Sequence, residues 1–156
     1  MIRPWGQPHL LPQELTPFPI NVRSRVHGYG GGALAIAKEG NTLILSWIND
    51  FDNCLWMQSF EGLSTKTTQQ DIWFSELGQP TCLSSSESCL FADGVIDLVR
   101  QRWLGVMECN GKDFLVSFSL NEDHQSEQVL YEPKDFMGYL ALSPDSKQLV
   151  WLEWQS

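Results

Sequence analysis

Positively charged side chains are scarce in this sequence. Ten Lys and Arg stand against nineteen Asp and Glu, giving a formal net charge of −9. That imbalance argues against nucleic acid or an anionic membrane as a partner. No apolar run approaches the length of a membrane span, and the N-terminus lacks the charged-then-apolar order of a signal peptide. A soluble, cytoplasmic chain is the expectation. Cysteine pairs at CxxC spacing are missing as well: Cys54, Cys82, Cys89 and Cys109 are scattered. In a reducing compartment they read as buried or incidental thiols, and a zinc site lacks its close ligand pairs. No Gly-x-Ser-x-Gly elbow occurs, and His9, His27 and His124 belong to no visible triad. We therefore expect no catalytic residue, no metal and no cofactor. Sustained helical periodicity is absent too, which leaves an all-β chain.

What the sequence does have is an unusual stretch, Asn21-Val-Arg-Ser-Arg-Val-His-Gly-Tyr-Gly-Gly-Gly-Ala-Leu34. Asn21, Arg23, Arg25, His27 and Tyr29 alternate with Val22, Ser24 and Val26, a period of two that reads as a strand. Glycines at 28, 30, 31 and 32 suit a backbone that needs positive φ or must pass close to something. Gly28-Tyr-Gly-Gly-Gly-Ala33 also fits the dinucleotide fingerprint, with Asp50 at the distance of a ribose-binding carboxylate. That fingerprint needs a buried apolar strand before it and a long helix after it. Arg23, Arg25 and His27 spoil the first, and Gly40-Asn41 cuts short the second, so the nucleotide reading is set aside.

The rest of the chain reads as strands and turns. Five prolines among residues 1–20 make that segment an extended lead, poorly ordered unless it lies along another surface. Strands are expected over 34–38, 42–48 and 54–60, then a polar insertion over 61–80 and an outer strand at 80–83. Asp50, Asp52 and Asn53 lack the glycine and distal glutamate of a calcium loop, so a hairpin turn is preferred. A second unit has strands over 95–98, 102–109 and 113–120, with Asn110-Gly111 as a type I′ turn, and a short outer strand at 128–131. A third begins with strands at 136–142 and 147–154. The divisions are thus 1–20, a first unit over 21–88, a second over 89–134 and a third over 135–156. Four-stranded units recurring at this length point to a partial β-propeller of about two blades plus the start of a third, with a β-sandwich as runner-up.

Several phrases resemble one family. Val22-Arg-Ser-Arg-Val-His-Gly-Tyr-Gly-Gly-Gly-Ala33 is similar to the Arg-x-Arg-Val-His-Glu-Tyr-Gly-Gly-Gly signature of prolyl oligopeptidase family members of the bacterial dipeptidyl aminopeptidase and acylaminoacyl peptidase type. Leu90-Phe-Ala-Asp-Gly-Val-Ile-Asp97, followed by Arg102-Trp-Leu-Gly-Val-Met-Glu108, resembles a second segment of their propeller. Asp135-Phe-Met-Gly-Tyr-Leu-Ala-Leu-Ser-Pro-Asp145, followed by Leu149-Val-Trp-Leu-Glu-Trp154, resembles a third, and Pro12-Gln-Glu-Leu-Thr-Pro17 a blade end. Gly28 departs from the family's Glu and Ser146 from its Gly. The resemblance implies the non-catalytic N-terminal propeller, beginning partway through a blade. In the family that propeller screens access to a separate α/β-hydrolase domain. The implied partners are that domain or the remaining blades, in cis or in trans, and self-association is expected of an unclosed arc. The alternative is a stand-alone all-β module for a protein or peptide partner. A free-standing enzyme comes third.

Two groups are candidate contacts. Arg23, Arg25 and His27, with Tyr29 beside them and Gly30, Gly31 and Gly32 behind, suit a carboxylate or peptide end. The preferred reading is structural: they pair with nearby Asp and Glu and fix sheet to sheet. Trp73 and Phe74, apolar residues in the polar insertion, are the candidates for an exposed contact, whereas Trp47, Trp56, Trp103 and Trp151 read as packing between sheets.

Overall fold

The computed structural model describes residues 1–2, 6, 11–63, 73–84, 88–121 and 127–156. His9, Ile72, His124, the polar centre of the insertion at 64–70 and most of the acidic loop at 122–126 lie outside the described residues. Ten strands form antiparallel sheets, with no α-helix among the described residues. The first sheet has β1 (Leu34–Glu39), β2 (Thr42–Ile48), β3 (Leu55–Gly62) and β4 (Phe74–Cys82) in sequence order. The second has β5 (Cys89–Asp97), β6 (Arg102–Cys109), β7 (Lys112–Ser119) and β8 (Gln128–Tyr131), again in order. β9 (Phe136–Leu142) and β10 (Leu149–Trp154) pair as a third sheet. No described helix is long and apolar enough to cross a membrane.

The strands form where apolar, β-branched runs are punctuated by turn residues. β2 is buried along nearly its whole length on both faces, as is the middle of β6. Such two-sided burial requires a packed layer on each side. Between the first and second sheets lie Ile48, Leu55, Leu83, Phe91, Trp103, Met107, Val116 and Phe118. Between the second and third lie Leu104, Val106, Leu115, Met137 and Leu140, with Trp151 packed against them. Trp103 lies flat across the backbone at Gly94 and Gly105, where an added Cβ would fall inside its ring. The Asn110-Gly111 turn has φ of 54° and 74°, the two positive values that a type I′ hairpin needs.

Ile2 and the described residues 11–20 of the lead lie along the outer face of the first sheet. Ile2 and Gln13 exchange backbone hydrogen bonds of 2.7 Å. Leu15 packs on Leu43, Leu45, Trp47 and Phe60, and Ile2, Ile20 and Val22 flank it. Gln13 fixes the edge of that sheet: its Nε2 donates to Phe74 O, and its Oε1 accepts the N–H groups of Trp73 and Phe74.

Three expectations are corrected. Residues 21–29 are not a strand. Val22 makes one isolated bridge to Asn49, and Val26–Gly28 then turn as a short 3-10 segment with His27 at φ 52°. The alternation is still visible in burial, since Ser24 and Val26 are buried while Arg23, Arg25 and Tyr29 are exposed. What the segment lacks is a neighbouring ladder, and the Gly28 and Gly30 N–H groups bond back to Arg25 O and Val26 O instead. The outer strand β4 is longer than expected, starting at Phe74 rather than Pro80. Its pairing with β3 shifts register between Met57 and Ser59, and Pro80 falls in that irregular stretch, where a residue without an N–H is tolerated. Finally, two of the four expected thiols are joined. Cys89 and Cys109 are cross-strand partners in β5 and β6, with Cα atoms 4.5 Å apart, and form a disulfide. That spacing is typical of a pair without ladder hydrogen bonds, where side chains stand closest. Cys54 and Cys82 take part in no disulfide.

Candidate functional site

The 21–33 segment threads between the sheets, and its polar side chains separate. Arg25 Nε donates to Asp50 Oδ1 at 2.7 Å, while Asn21 Nδ2 donates to Asp50 Oδ2 at 3.3 Å, so both secure the β2–β3 turn. Arg23 is exposed and bonds through its backbone N–H to Ile48 O. His27 turns the other way, toward the β6–β7 hairpin. Its Nε2 lies 2.9 Å from Asp113 Oδ1 and its Nδ1 3.6 Å from Glu108 Oε2. The first pair meets the distance of a hydrogen bond without its alignment. The backbone N–H of His27 also donates to Glu108. Asp113 is fully buried and uses its other oxygen to accept the Met137 N–H from β9 at 2.9 Å. Phe136 meets the His27 ring edge-on. One imidazole thus touches the second sheet and the start of the third.

The glycines serve close approach. Gly30 has φ 83°, and a Cβ there would lie 2.7 Å from Ser24 O. Gly31 and Gly32 press against Ala92 and Asp93 of β5. Asp93, at φ 54°, accepts the Gly32 N–H on Oδ1 at 2.6 Å and the Tyr139 N–H on Oδ2 at 2.7 Å. This carboxylate therefore ties the glycine segment ahead of β1 and the third sheet to the second. Beside it opens a cavity of about 450 Å³ whose walls include His27, Tyr29, Asp93, Tyr139 and Trp154. Tyr29 is almost fully exposed at its mouth.

Arg23, Arg25 and His27 thus do not converge on one face: Arg25 serves the first sheet, and His27 the second and third. Trp73 and Phe74, expected as an exposed contact, are half-buried at the start of β4, and Phe74 joins the core under the lead. Sequence reasoning missed Asp93, Glu108 and Asp113. The one available signal was Asp93-Gly94 inside a strand pattern, which marks a bulge; β5 shifts register there, between Ala92 and Val95. Asp97, fully buried at the end of β5, holds a second ionic group. Burial alone would push its carboxyl up, but hydrogen bonds from Arg102 and Arg100 outweigh this and hold it below the ordinary carboxylate value. Arg100 also donates to Ser146 O, tying the β5–β6 turn to the turn of the third sheet. Among the described residues, no group of three or more His, Cys, Asp or Glu is placed to hold a metal ion.

No protein-family model matches the sequence, and neither does any curated protein. A solved structure does share the fold: a puromycin-hydrolyzing peptidase of Mycobacterium tuberculosis, at a TM-score of 0.64 and 18% identity. The match covers 91% of this chain and 22% of that one, so this chain spans less than a quarter of the peptidase's length.

Proposed function

We propose that this chain supplies consecutive blades of a β-propeller and acts as the non-catalytic, substrate-screening part of a prolyl oligopeptidase-type serine peptidase. The observation that carries the reading is the repeat itself: two four-stranded sheets in sequence order, then a third begun in the same way. The sheets approach one another through their first strands, β1 to β5 and β5 to β9, as blades around a common axis would. The fold shared with part of a peptidase supports the reading, as do the motifs of the 21–33, 90–108 and 135–154 segments.

On this reading the bare side of the third sheet awaits another blade. Val150, Leu152 and Trp154 alternate along β10 and are exposed, with Tyr139 beside them. The partner is a further sheet or the hydrolase domain, in cis or in trans. The test is co-expression with an α/β-hydrolase domain bearing Gly-x-Ser-x-Gly from an adjacent reading frame. The two should purify together, and the complex should cleave short peptides while discriminating against long ones. The chain alone should not hydrolyse dipeptidyl or acylaminoacyl chromogenic substrates. Hydrolysis by the pure chain, or failure of any hydrolase to associate, rejects the proposal.

A second reading, a stand-alone interaction module, draws on the lead segment. Leu15, Ile2, Ile20 and Val22 cover the outer face of the first sheet, as a self-contained domain would cap its end. A stable monomer without any partner would favour it.

A further inference from the structure

A second cleft lies away from the glycine segment, at the β2–β3 turn. Trp47 near the end of β2 and Trp56 near the start of β3 are directly opposed across the ladder. Phe51 stands on the turn between them and is 71% exposed. Pro19 and Ile20 from the lead and Pro80 from β4 complete a cavity of about 210 Å³. That volume suits a head group or a single side chain rather than a whole ligand. The one polar lining residue is Asn49, whose Oδ1 already accepts the Asn21 N–H at 3.2 Å.

The charges nearest this cleft sit at the β2–β3 turn: Arg25 pairs with Asp50, whereas Asp52 has no ion pair among the described residues. Aromatic rings present negative faces. The Trp56 indole N–H donates to Asp52 Oδ2 at 3.1 Å, which places a carboxylate at the ring's edge. Asp52 Oδ1 accepts the Cys54 N–H, so the hydrogen bonds of this carboxylate come from neutral donors. The chain as a whole carries −9. A cation is therefore favoured over a neutral group of the same shape. The kind of cation follows from the lining. A primary ammonium would bring three N–H donors into a cleft whose one polar side chain is already engaged, and unmet donors are costly. A quaternary ammonium carries no N–H and spreads its charge over methyl groups that apolar walls accept.

We propose that the cleft between Phe51 and Trp56, floored by the buried Trp47, binds a quaternary, N-methylated ammonium group at the end of a flexible ligand or side chain. Choline chloride is the probe, titrated at matched ionic strength against ¹⁵N-labelled protein, with 3,3-dimethylbutan-1-ol as its uncharged isostere. Choline should move the Trp47 and Trp56 indole N–H resonances saturably, and the alcohol should bind about tenfold more weakly. Phe51→Ala should weaken choline binding several-fold without changing the melting temperature, because Phe51 is exposed. Asp52→Asn removes the charge and keeps one of the two acceptor oxygens in use, so it should weaken choline binding several-fold more than binding of the alcohol. Equal binding of choline and the alcohol, or no saturable shift at either indole, overturns the proposal.

Discussion

His27 Nε2 and Asp113 Oδ1 lie 2.9 Å apart, and the aspartate is wholly buried while the imidazole remains partly open to solvent. Besides this contact, the Asp113 carboxylate has the Met137 N–H. Truncating His27 to Ala would leave a buried carboxylate short of a partner and remove a ring that packs on Phe136. The expected loss is about 2–3 kcal/mol in urea unfolding. Arg25→Ala breaks a pair whose arginine is nearly half exposed, and should cost no more than about 1 kcal/mol. Equal costs for the two would show that His27 is not the structural tie described.

Acid should weaken the protein partly through Asp97. Its carboxyl is held below the ordinary value in the folded state, so the unfolded chain takes up the proton first as pH falls. The stabilisation is therefore fully present above the unfolded-state value, near 3.8, and is lost as pH drops through the lower folded-state value. Asp97→Asn removes this component. The stability gap between wild type and variant should be constant above about pH 5 and narrow below it. A gap that stays constant into strong acid would contradict the Arg100 and Arg102 pairing as its cause.

Trp103 leaves no room over Gly105. A Cβ at 105 would fall within the indole, so Gly105→Ala must displace a ring that is 1% exposed between two sheets. A cost of about 1–3 kcal/mol is expected, with a change in tryptophan emission. Gly111→Ala meets nothing within 4 Å and has only its φ of 74° to oppose it, so about 1–2 kcal/mol should be lost with emission unchanged. Unchanged emission in Gly105→Ala would show that the ring does not lie where it is described.

These contrasts mark what the sequence could and could not convey. The bounds of β2, β6, β8 and β9 coincide with the runs read as strands, because each is apolar or β-branched and ends at turn residues. The polar stretch from Ser75 to Gln79 belongs to β4 although it looks like loop, since an exposed edge strand needs no apolar pattern. The alternation from Asn21 to Tyr29 reports which side chains go inward, but it cannot report whether a ladder partner exists. The charges of Arg25 and His27 were visible in the sequence. Their partners Asp50, Glu108 and Asp113 depend on how a turn and a hairpin are brought to the 21–33 segment. The Cys89–Cys109 bond likewise depends on β5–β6 register, which spacing alone does not reveal.

Thiol chemistry tests that register directly. Alkylation in denaturant without reductant should label two cysteines per chain, Cys54 and Cys82, and all four after reduction. In the folded protein, burial and the neighbouring Cys54 push the Cys82 thiol up to about 11. Its thiolate at neutral pH is then roughly a hundredfold scarcer than that of an ordinary cysteine, and labelling should be correspondingly slow. Four labelled cysteines without reductant would refute the cross-strand bond.

The exposed row on β10 sets the last expectation. Val150, Leu152 and Trp154 leave an apolar strip on a sheet of two strands, whereas the first sheet is covered on the equivalent side by the second, and the second by the third. A strip of this kind beside an unpaired strand edge promotes association. Sedimentation should show concentration-dependent growth beyond a 17.8 kDa monomer. Leu152→Lys should shift the equilibrium toward monomer by about tenfold or more, because a charge would have to be buried at the contact. Its melting temperature at low concentration should not change, since residue 152 is mostly in water. Wild-type protein that stays monomeric at high concentration would show that this strip is not an association surface, and would favour the self-contained module over an unclosed arc of blades.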